Sequence, residues 1–328
     1  MRIFGRWFLI ALMTFWGAAC QIQHYQSSSA SATASPAVTL VGHREYEVHE
    51  SLELVNEGPG QPEKQSLWVA LIRDFPPYQK TLSMDVSPSN YTLITDEYGN
   101  QYGEFDFSDH PAGTTKKVQI DYRISVNELT YDLSSCEGNI PDEFIQPELN
   151  IESANPQIVN LASHLSRDKK SICEQIRAFY DYEGDTLVYT YNGKNWGAQA
   201  TLGRMGADCT EYTSLLVALS RSQHIPARYF EGLLFIDSQT QNKVQLEHAW
   251  PDVYLPDVGW TAMDPTLGRA RSDRDTYFAH HTPQHIIVTM GANPSTLRGG
   301  NYWTHLYWPG DSTTIRAQAG WDIKLIEQ

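Results

Sequence analysis

Residues 206–221 read Gly-Ala-Asp-Cys-Thr-Glu-Tyr-Thr-Ser-Leu-Leu-Val-Ala-Leu-Ser-Arg, a pattern that predicts a helix with a cysteine in its first turn. Asp208 is an N-cap residue and Glu211, three positions on, is its capping-box partner, so the helix begins at Cys209. Tyr212, Leu215, Leu216 and Leu219 then form one apolar stripe for burial. Unpaired backbone N–H groups and the helix dipole favour a thiolate at such a position, as a nucleophile requires. A small buried thiol, the usual state of a cysteine, is the competing reading.

Two further residues complete a catalytic set. His248 lies in Leu246-Glu247-His248-Ala249-Trp250, ahead of the strand-like Asp252-Val253-Tyr254-Leu255, and Asp264 follows Gly259-Trp260. An imidazole sustains a thiolate, and a carboxylate decides which imidazole nitrogen carries the proton. Two strands joined by a turn at Pro256–Gly259 would set His248 beside Asp264, with the cysteine helix packed across them. Taken singly, His248 also reads as a structural histidine, and Asp264 before Pro265 as the opening of a turn.

These segments, with Ile225-Pro226-Ala227-Arg228 and Asp264-Pro265-Thr266, resemble the transglutaminase-like family, relatives of the papain-like cysteine enzymes. The resemblance covers about Pro156 to Gly268. It implies an α+β, papain/transglutaminase-like core in which the cysteine-bearing helix packs on an antiparallel sheet. It further implies Cys209 as nucleophile, His248 as general base and acid, and Asp264 as orienting carboxylate, with a peptide or protein substrate and no cofactor. Pro251 and Asp252 depart from the family pattern; because proline lacks a ladder N–H, that strand is expected to be an edge or to bulge. The backbone N–H of Cys209 is a natural oxyanion donor, and Trp196 and Gln199 are the side-chain candidates. Arg228 and Trp250 read as braces of the site. An acyl-enzyme can be released by water, as in a protease or amidase, or by an amine, which cross-links. Hydrolysis is the expectation, since transfer needs a second site for the amine and exclusion of water. A non-catalytic module that binds peptide or cell-envelope material is the alternative.

The rest of the chain frames this core. Its 328 residues, 41% hydrophobic, suffice for two domains. With 24 Lys and Arg against 39 Asp and Glu, a formal charge of −15 and no long basic run, it is not expected to bind nucleic acid. Cys20, Cys136, Cys173 and Cys209 form no C-x-x-C pair, which argues against a zinc ribbon or a thioredoxin-like motif. His280, His281 and His285 cluster without an H-E-x-x-H pattern and read as the solvated face of a polar loop, so no metal site is expected.

At the N-terminus, Arg2 and Arg6 precede the apolar run WFLIALMTFW (7–16) and Gly-Ala-Ala-Cys, the layout of an export signal over residues 1–19. The run is about half the ~20 residues a spanning helix needs. Small residues before Cys20 resemble the lipobox of bacterial lipoproteins, which implies lipid on Cys20 and anchoring to a membrane of the cell envelope. Residues 20–39, centred on SSSASATAS, read as a flexible tether. Residues 40–135 alternate apolar and polar, as in Tyr46, Val48, Leu52 and Leu54 or Val118, Ile120, Tyr122, Ile124 and Val126, and predict a β-sandwich. No reactive cluster accompanies them, so this domain reads as a spacer or partner-binding unit. Residues 136–328 form the catalytic domain, opening with helical stripes at Ile158, Leu161, Ala162 and Leu165 and at Ile172, Ile176, Phe179 and Tyr180. The tail after Gly268 is expected to complete a sheet or wall the cleft. With Cys20 lipidated and Cys209 free, Cys136 and Cys173 remain to pair in an oxidising compartment; two separate thiols are the alternative.

Overall fold

The period-two pattern at 46–54 belongs to a 22-residue strand, β1 (Val38–Pro59), whose Tyr46, Val48, Leu52 and Leu54 are buried on one face. The structure, a computed structural model, describes residues 37–191, 196–203, 206–237, 243–310 and 312–327. The expected export segment, Cys20 and nearly all of the tether lie outside these. No helix among the described residues is long and apolar enough to cross a membrane.

After β1 come β2 (Lys64–Leu71), β3 (Gln79–Ser87), β4 (Thr92–Thr95), β5 (Gln101–Asp106) and β6 (Thr115–Tyr131). Four helices follow: α1 (Pro156–Ser166), α2 (Ile172–Thr186), the single turn α3 (Ala198–Thr201) and α4 (Cys209–Ser222). The chain returns to strands in β7 (Ala227–Asp237), β8 (Lys243–Leu255), β9 (Gly259–Ala262), β10 (His280–His281), β11 (His285–Met290), β12 (Trp303–Trp308) and β13 (Thr313–Glu327). The result is an α+β fold of three antiparallel sheets and a helical layer.

Two sheets form the sandwich. In one, β1 lies between β6 and β13, and β6 also pairs with β3 and β10; the other has the order β12-β2-β5-β4. Their inner faces meet in a core that includes Leu52, Leu54, Leu67, Val69, Phe105 and Ile120. The tail after Gly268 completes these sheets: β13 runs along β1 from Glu45 to Pro59, β12 along β2, and β10 along the end of β6.

The third sheet, β11-β7-β8-β9, carries the helices. Phe230, Trp250 and Val253 pack with Ile158, Ile176, Phe179 and the stripe of α4. Leu233, Phe235, Ile286 and Val288 join the sandwich core instead. Each such side chain contributes roughly 1.5–3 kcal/mol on burial, so the two halves are bound through a shared interior. The free edge of β11 is closed by side-chain amides of the sandwich. Gln79 donates to the Ile287 carbonyl (2.9 Å) and accepts from the Ile287 N–H (2.7 Å), and Asn100 does the same with Met290 (2.8 Å each). An amide used in this way mimics a neighbouring strand and leaves no open edge.

Strand β8 is an inner strand, not the edge or bulge that Pro251 suggested. It pairs without a register shift to β7 and, from Asp252 to Leu255, to β9. Proline is tolerated because only its N–H is missing; the Pro251 carbonyl still accepts from Met263 N–H at 3.2 Å. The neighbouring Asp252 is fully buried because the Arg228 guanidinium forks onto it and Tyr78 OH donates to it at 2.8 Å. Arg228 also lies 3.8 Å from the centre of the Trp260 ring.

Candidate active site

The capping box forms as the sequence predicts and starts α4 at the cysteine. Thr210 N–H donates to Asp208 Oδ1 (3.0 Å) and Asp208 N–H donates to Glu211 Oε2 (2.9 Å). Tyr212, Leu215, Leu216 and Leu219 are all fully buried. So are Thr213, Ser214, Val217, Ala218 and Ser220, since α4 is the central helix and meets α1, α2, α3 and the third sheet. Cys209 is the free cysteine of the described residues, half-buried in the first turn. Cys136 and Cys173, the other two, are joined as a disulfide with their Cα atoms 6.1 Å apart.

Strand pairing places His248 opposite Gly232 in β7. A Cβ at Gly232 would sit 2.0 Å from the Ile286 carbonyl oxygen, so a side chain there would push β11 away from the histidine. The turn after β9 holds Asp264, whose Oδ1 accepts from Leu267 N–H at 2.8 Å. Asp264 therefore opens a turn and faces His248 at once. His248 Nε2 lies 2.7 Å from Asp264 Oδ2, which leaves Nδ1 open to a second partner, and the Cys209 thiol is within hydrogen-bonding reach of the ring. An ionised carboxylate can only accept, so His248 carries a proton on Nε2. Trp250 stacks on the His248 ring with centroids 5.9 Å apart, the bracing role expected of it.

His285 is a member of this site that the sequence reading missed. His285 and His281 are buried, 3% and 2% exposed, so the cluster of three is not a solvated face. His285 Nε2 lies 3.0 Å from the same Asp264 Oδ2, and its Nδ1 lies 2.8 Å from Thr282 Oγ1. The local signal is weak: His285 opens the apolar run Ile286-Ile287-Val288, and a histidine heading a buried strand cannot face water freely.

Charge is unevenly shared in the network. Burial alone would lower the proton affinity of His248, but the Asp264 charge and hydrogen bond, helped by Cys209, hold it well above the ordinary imidazole range. Asp264 is held well below the usual carboxylate range: burial opposes this, and the charges and hydrogen bonds of His248 and His285 outweigh it. Burial pushes His285 down despite Asp264, and pushes His281 down to about 3. His248, Asp264 and His285 also bring three metal-ligand atoms within 4.8 Å of one another. Both imidazoles already hydrogen-bond the carboxylate, so an ion would have to displace those protons.

A cavity of about 150 Å³ is lined on the helix side by Asp208 and Thr210, the chain neighbours of Cys209, and by Ser214; Cys209, His248 and Asp264 are not in its lining. Trp196, 55% exposed, lines it as well. Gln199 is exposed on α3 and is absent from the lining; its backbone N–H is bound to Glu152 at 3.1 Å. Glu231, which sequence reasoning did not single out, stands in the wall with Tyr229 OH donating to it at 3.2 Å. Burial and the charge of Glu247 push its carboxyl up to about 8.

A half-buried thiol at a capped helix start and a buried histidine–aspartate pair thus meet where the helix packs on an antiparallel sheet. Residues 159–265 match the family model of the transglutaminase-like superfamily, and the chain carries a transglutaminase-like domain there. The uncharacterized protein YebA of Bacillus subtilis (strain 168) is 25% identical over 175 residues; the match covers 45% of this chain and only 23% of that protein. A candidate cysteine protease of known structure from Cytophaga hutchinsonii shares the fold, with a TM-score of 0.64 at 14% identity over 89% of this chain and 93% of the other. The periplasmic domain of TgpA from Pseudomonas aeruginosa, solved with ethylmercury, overlaps 74% of this chain and 99% of its own, at 15% identity and a TM-score of 0.35.

Proposed function

We propose that this protein is a thiol acyl-transfer enzyme acting on peptide or protein amides through Cys209, His248 and Asp264, and that it hydrolyses them. The observation that carries the reading is the His248 ring, held by Asp264 at 2.7 Å on Nε2, with the Cys209 thiol within hydrogen-bonding reach of the same ring. The Cys209 thiolate attacks the amide carbon, and the carbonyl oxygen gathers negative charge facing the N–H groups of the helix start. His248 then gives its proton to the leaving amine as the C–N bond breaks, leaving an acyl-enzyme. Water attacks that thioester, His248 takes the water's proton, and the acid product leaves with the thiol restored. Water is always available, whereas release by an amine would need a second site; hydrolysis is therefore the favoured branch.

We also propose, from the residues before Cys20, that the protein lies outside the cytoplasm, lipid-anchored through Cys20. The Cys136–Cys173 disulfide fits an oxidising compartment.

The test is amine release from a panel of peptide amides by the full chain and by Cys209→Ala. A small residue at a helix start leaves little cavity, so the variant should fold normally and release nothing. Full activity in Cys209→Ala would leave the non-catalytic binding module as the better account.

A further inference from the structure

The buried network does not end at Asp264. We infer that His285 is a positioning residue for the catalytic group: by donating its Nε2–H to the carboxylate oxygen that His248 also uses, it fixes the orientation and charge of Asp264. The inference rests on the proposed thiol chemistry and extends it by one residue.

The hydrogen-bond inventory leaves little choice. Asp264 Oδ1 is taken by Leu267 N–H, while Oδ2 meets two imidazole nitrogens at 2.7 and 3.0 Å. An ionised carboxylate offers no proton, so both imidazoles must donate. A neutral His285 then has its proton on Nε2, and its Nδ1 accepts from Thr282 O–H at 2.8 Å. Asp264 therefore selects the tautomer of His285 as well as that of His248, and the Thr282 hydroxyl, able to donate or accept, donates to the nitrogen left over. Packing restricts the ring further: Trp250 meets it edge to face with centroids 4.8 Å apart, and the same Trp250 stacks on His248. A buried carboxylate with one histidine partner could rotate away or take up a proton; with two donors on one oxygen it does neither.

The ionisable groups facing Asp264 and His285 are Cys209 from α4, His248 from β8, Tyr180 from α2, Tyr277 ahead of β10, and His281 from β10. Burial raises both tyrosines and lowers His281, so none of these three changes charge between about pH 5 and 8. Glu211, two residues after Cys209 and pushed up to about 7, and Glu231, pushed up to about 8, do titrate near that window; both are common to wild type and the His285 variants, so the shift between them reads the catalytic group.

The probe is iodoacetamide, with alkylation of the Cys209 peptide followed by mass spectrometry against pH in the full chain. His285→Leu removes the donor, so Asp264 takes up a proton more readily and the acid limb of the rate profile moves to higher pH. Alkylation on that limb slows about tenfold. His285→Gln offers an amide N–H in place of Nε2–H and restores most of the rate. Thr282→Val keeps the imidazole and its bond to Asp264 but removes the hydrogen bond at Nδ1 that holds the ring, giving the same shift at smaller amplitude; it carries the test should the Leu variant not fold. A purely packing role would lower stability and leave the profile of folded protein unmoved. A wild-type profile in folded His285→Leu, or Gln as slow as Leu, overturns the inference. Wild-type Cys209 reacting no faster than a free thiol would overturn the triad reading first, and this one with it.

Discussion

Replacing Asp264 by Asn keeps the shape of the side chain and removes its charge, so the outcome follows from the hydrogen bonds around it. The carboxylate accepts three: from Leu267 N–H, His248 Nε2–H and His285 Nε2–H. If the Asn amide turns its NH₂ toward the histidines, two donors face donors. His248 must then move its proton to the nitrogen that faces Cys209, where it can no longer accept one. That wrong tautomer costs up to about 10⁴-fold in kcat. If the amide turns its oxygen toward the histidines, the tautomer survives, Leu267 N–H is orphaned, and the imidazolium formed in the reaction loses its counter-charge. A charged hydrogen bond is then exchanged for a neutral one, and the loss is nearer 10²-fold. We therefore expect kcat on a peptide amide to fall about 10²- to 10⁴-fold, or about 3 to 5.5 kcal/mol, with KM little changed. Cys209→Ala should lose more, and adding His248→Ala to it should change almost nothing further. Stability gives a second readout. The folded carboxyl is held low, so its contribution is present above the unfolded range of about pH 3.9 and is lost as pH falls below it. Wild type should exceed Asp264→Asn in unfolding free energy near neutrality and converge with it in acid. An Asn variant that keeps a third or more of wild-type kcat would refute the orienting role of the carboxylate.

Two other expectations concern the frame. A fragment from Asn139 to Gln328 should fail to fold, because it loses the partners of β10, β12 and β13 and exposes Leu233, Phe235, Ile286 and Val288, roughly 6 to 12 kcal/mol of burial against a whole-protein stability of about 5 to 15; a cooperative thermal transition in that fragment would refute it. The Cys136–Cys173 bridge spans 37 residues, so replacing both cysteines with serine should lower the unfolding free energy by roughly 4 kcal/mol, read by chemical denaturation.

What the sequence reveals here is what short-range physics decides. Asp208 and Glu211 cap a helix whose next turns carry the stripe, so the position of Cys209 is set within a dozen residues. His248 and Asp264 are legible because one strand pair and its turn bring them together, and the family motifs mark both. His285 is not, because its role comes from β11 docking on β7, a pairing without local signature. The tail shows the same limit. Nothing near Thr313–Glu327 indicates that its partner is β1, more than 250 residues earlier, so the tail reads as part of the catalytic half while its hydrogen bonds lie in the sandwich. Pro251 misleads for the opposite reason: a strong local rule about missing N–H groups is overridden by an inner strand that needs only its carbonyl.

Burial grades along the catalytic network in the direction the chemistry needs. Cys209 is half-buried where a substrate must reach it, while His248, Asp264 and His285 are 4%, 2% and 3% exposed. Dry surroundings strengthen the coupling between imidazole and carboxylate, and they make each missing donor costly. The network therefore demands a rigid wall behind it, and β11 is that wall. As an edge strand it would be free to shift, yet Gln79 and Asn100 hold it through both N–H and carbonyl groups at two places. Those amides come from the sandwich. The N-terminal half, which carries no reactive cluster of its own, thus fixes the strand that starts with His285, and the distance from His285 to Asp264 depends on a domain that reads from sequence as a mere spacer.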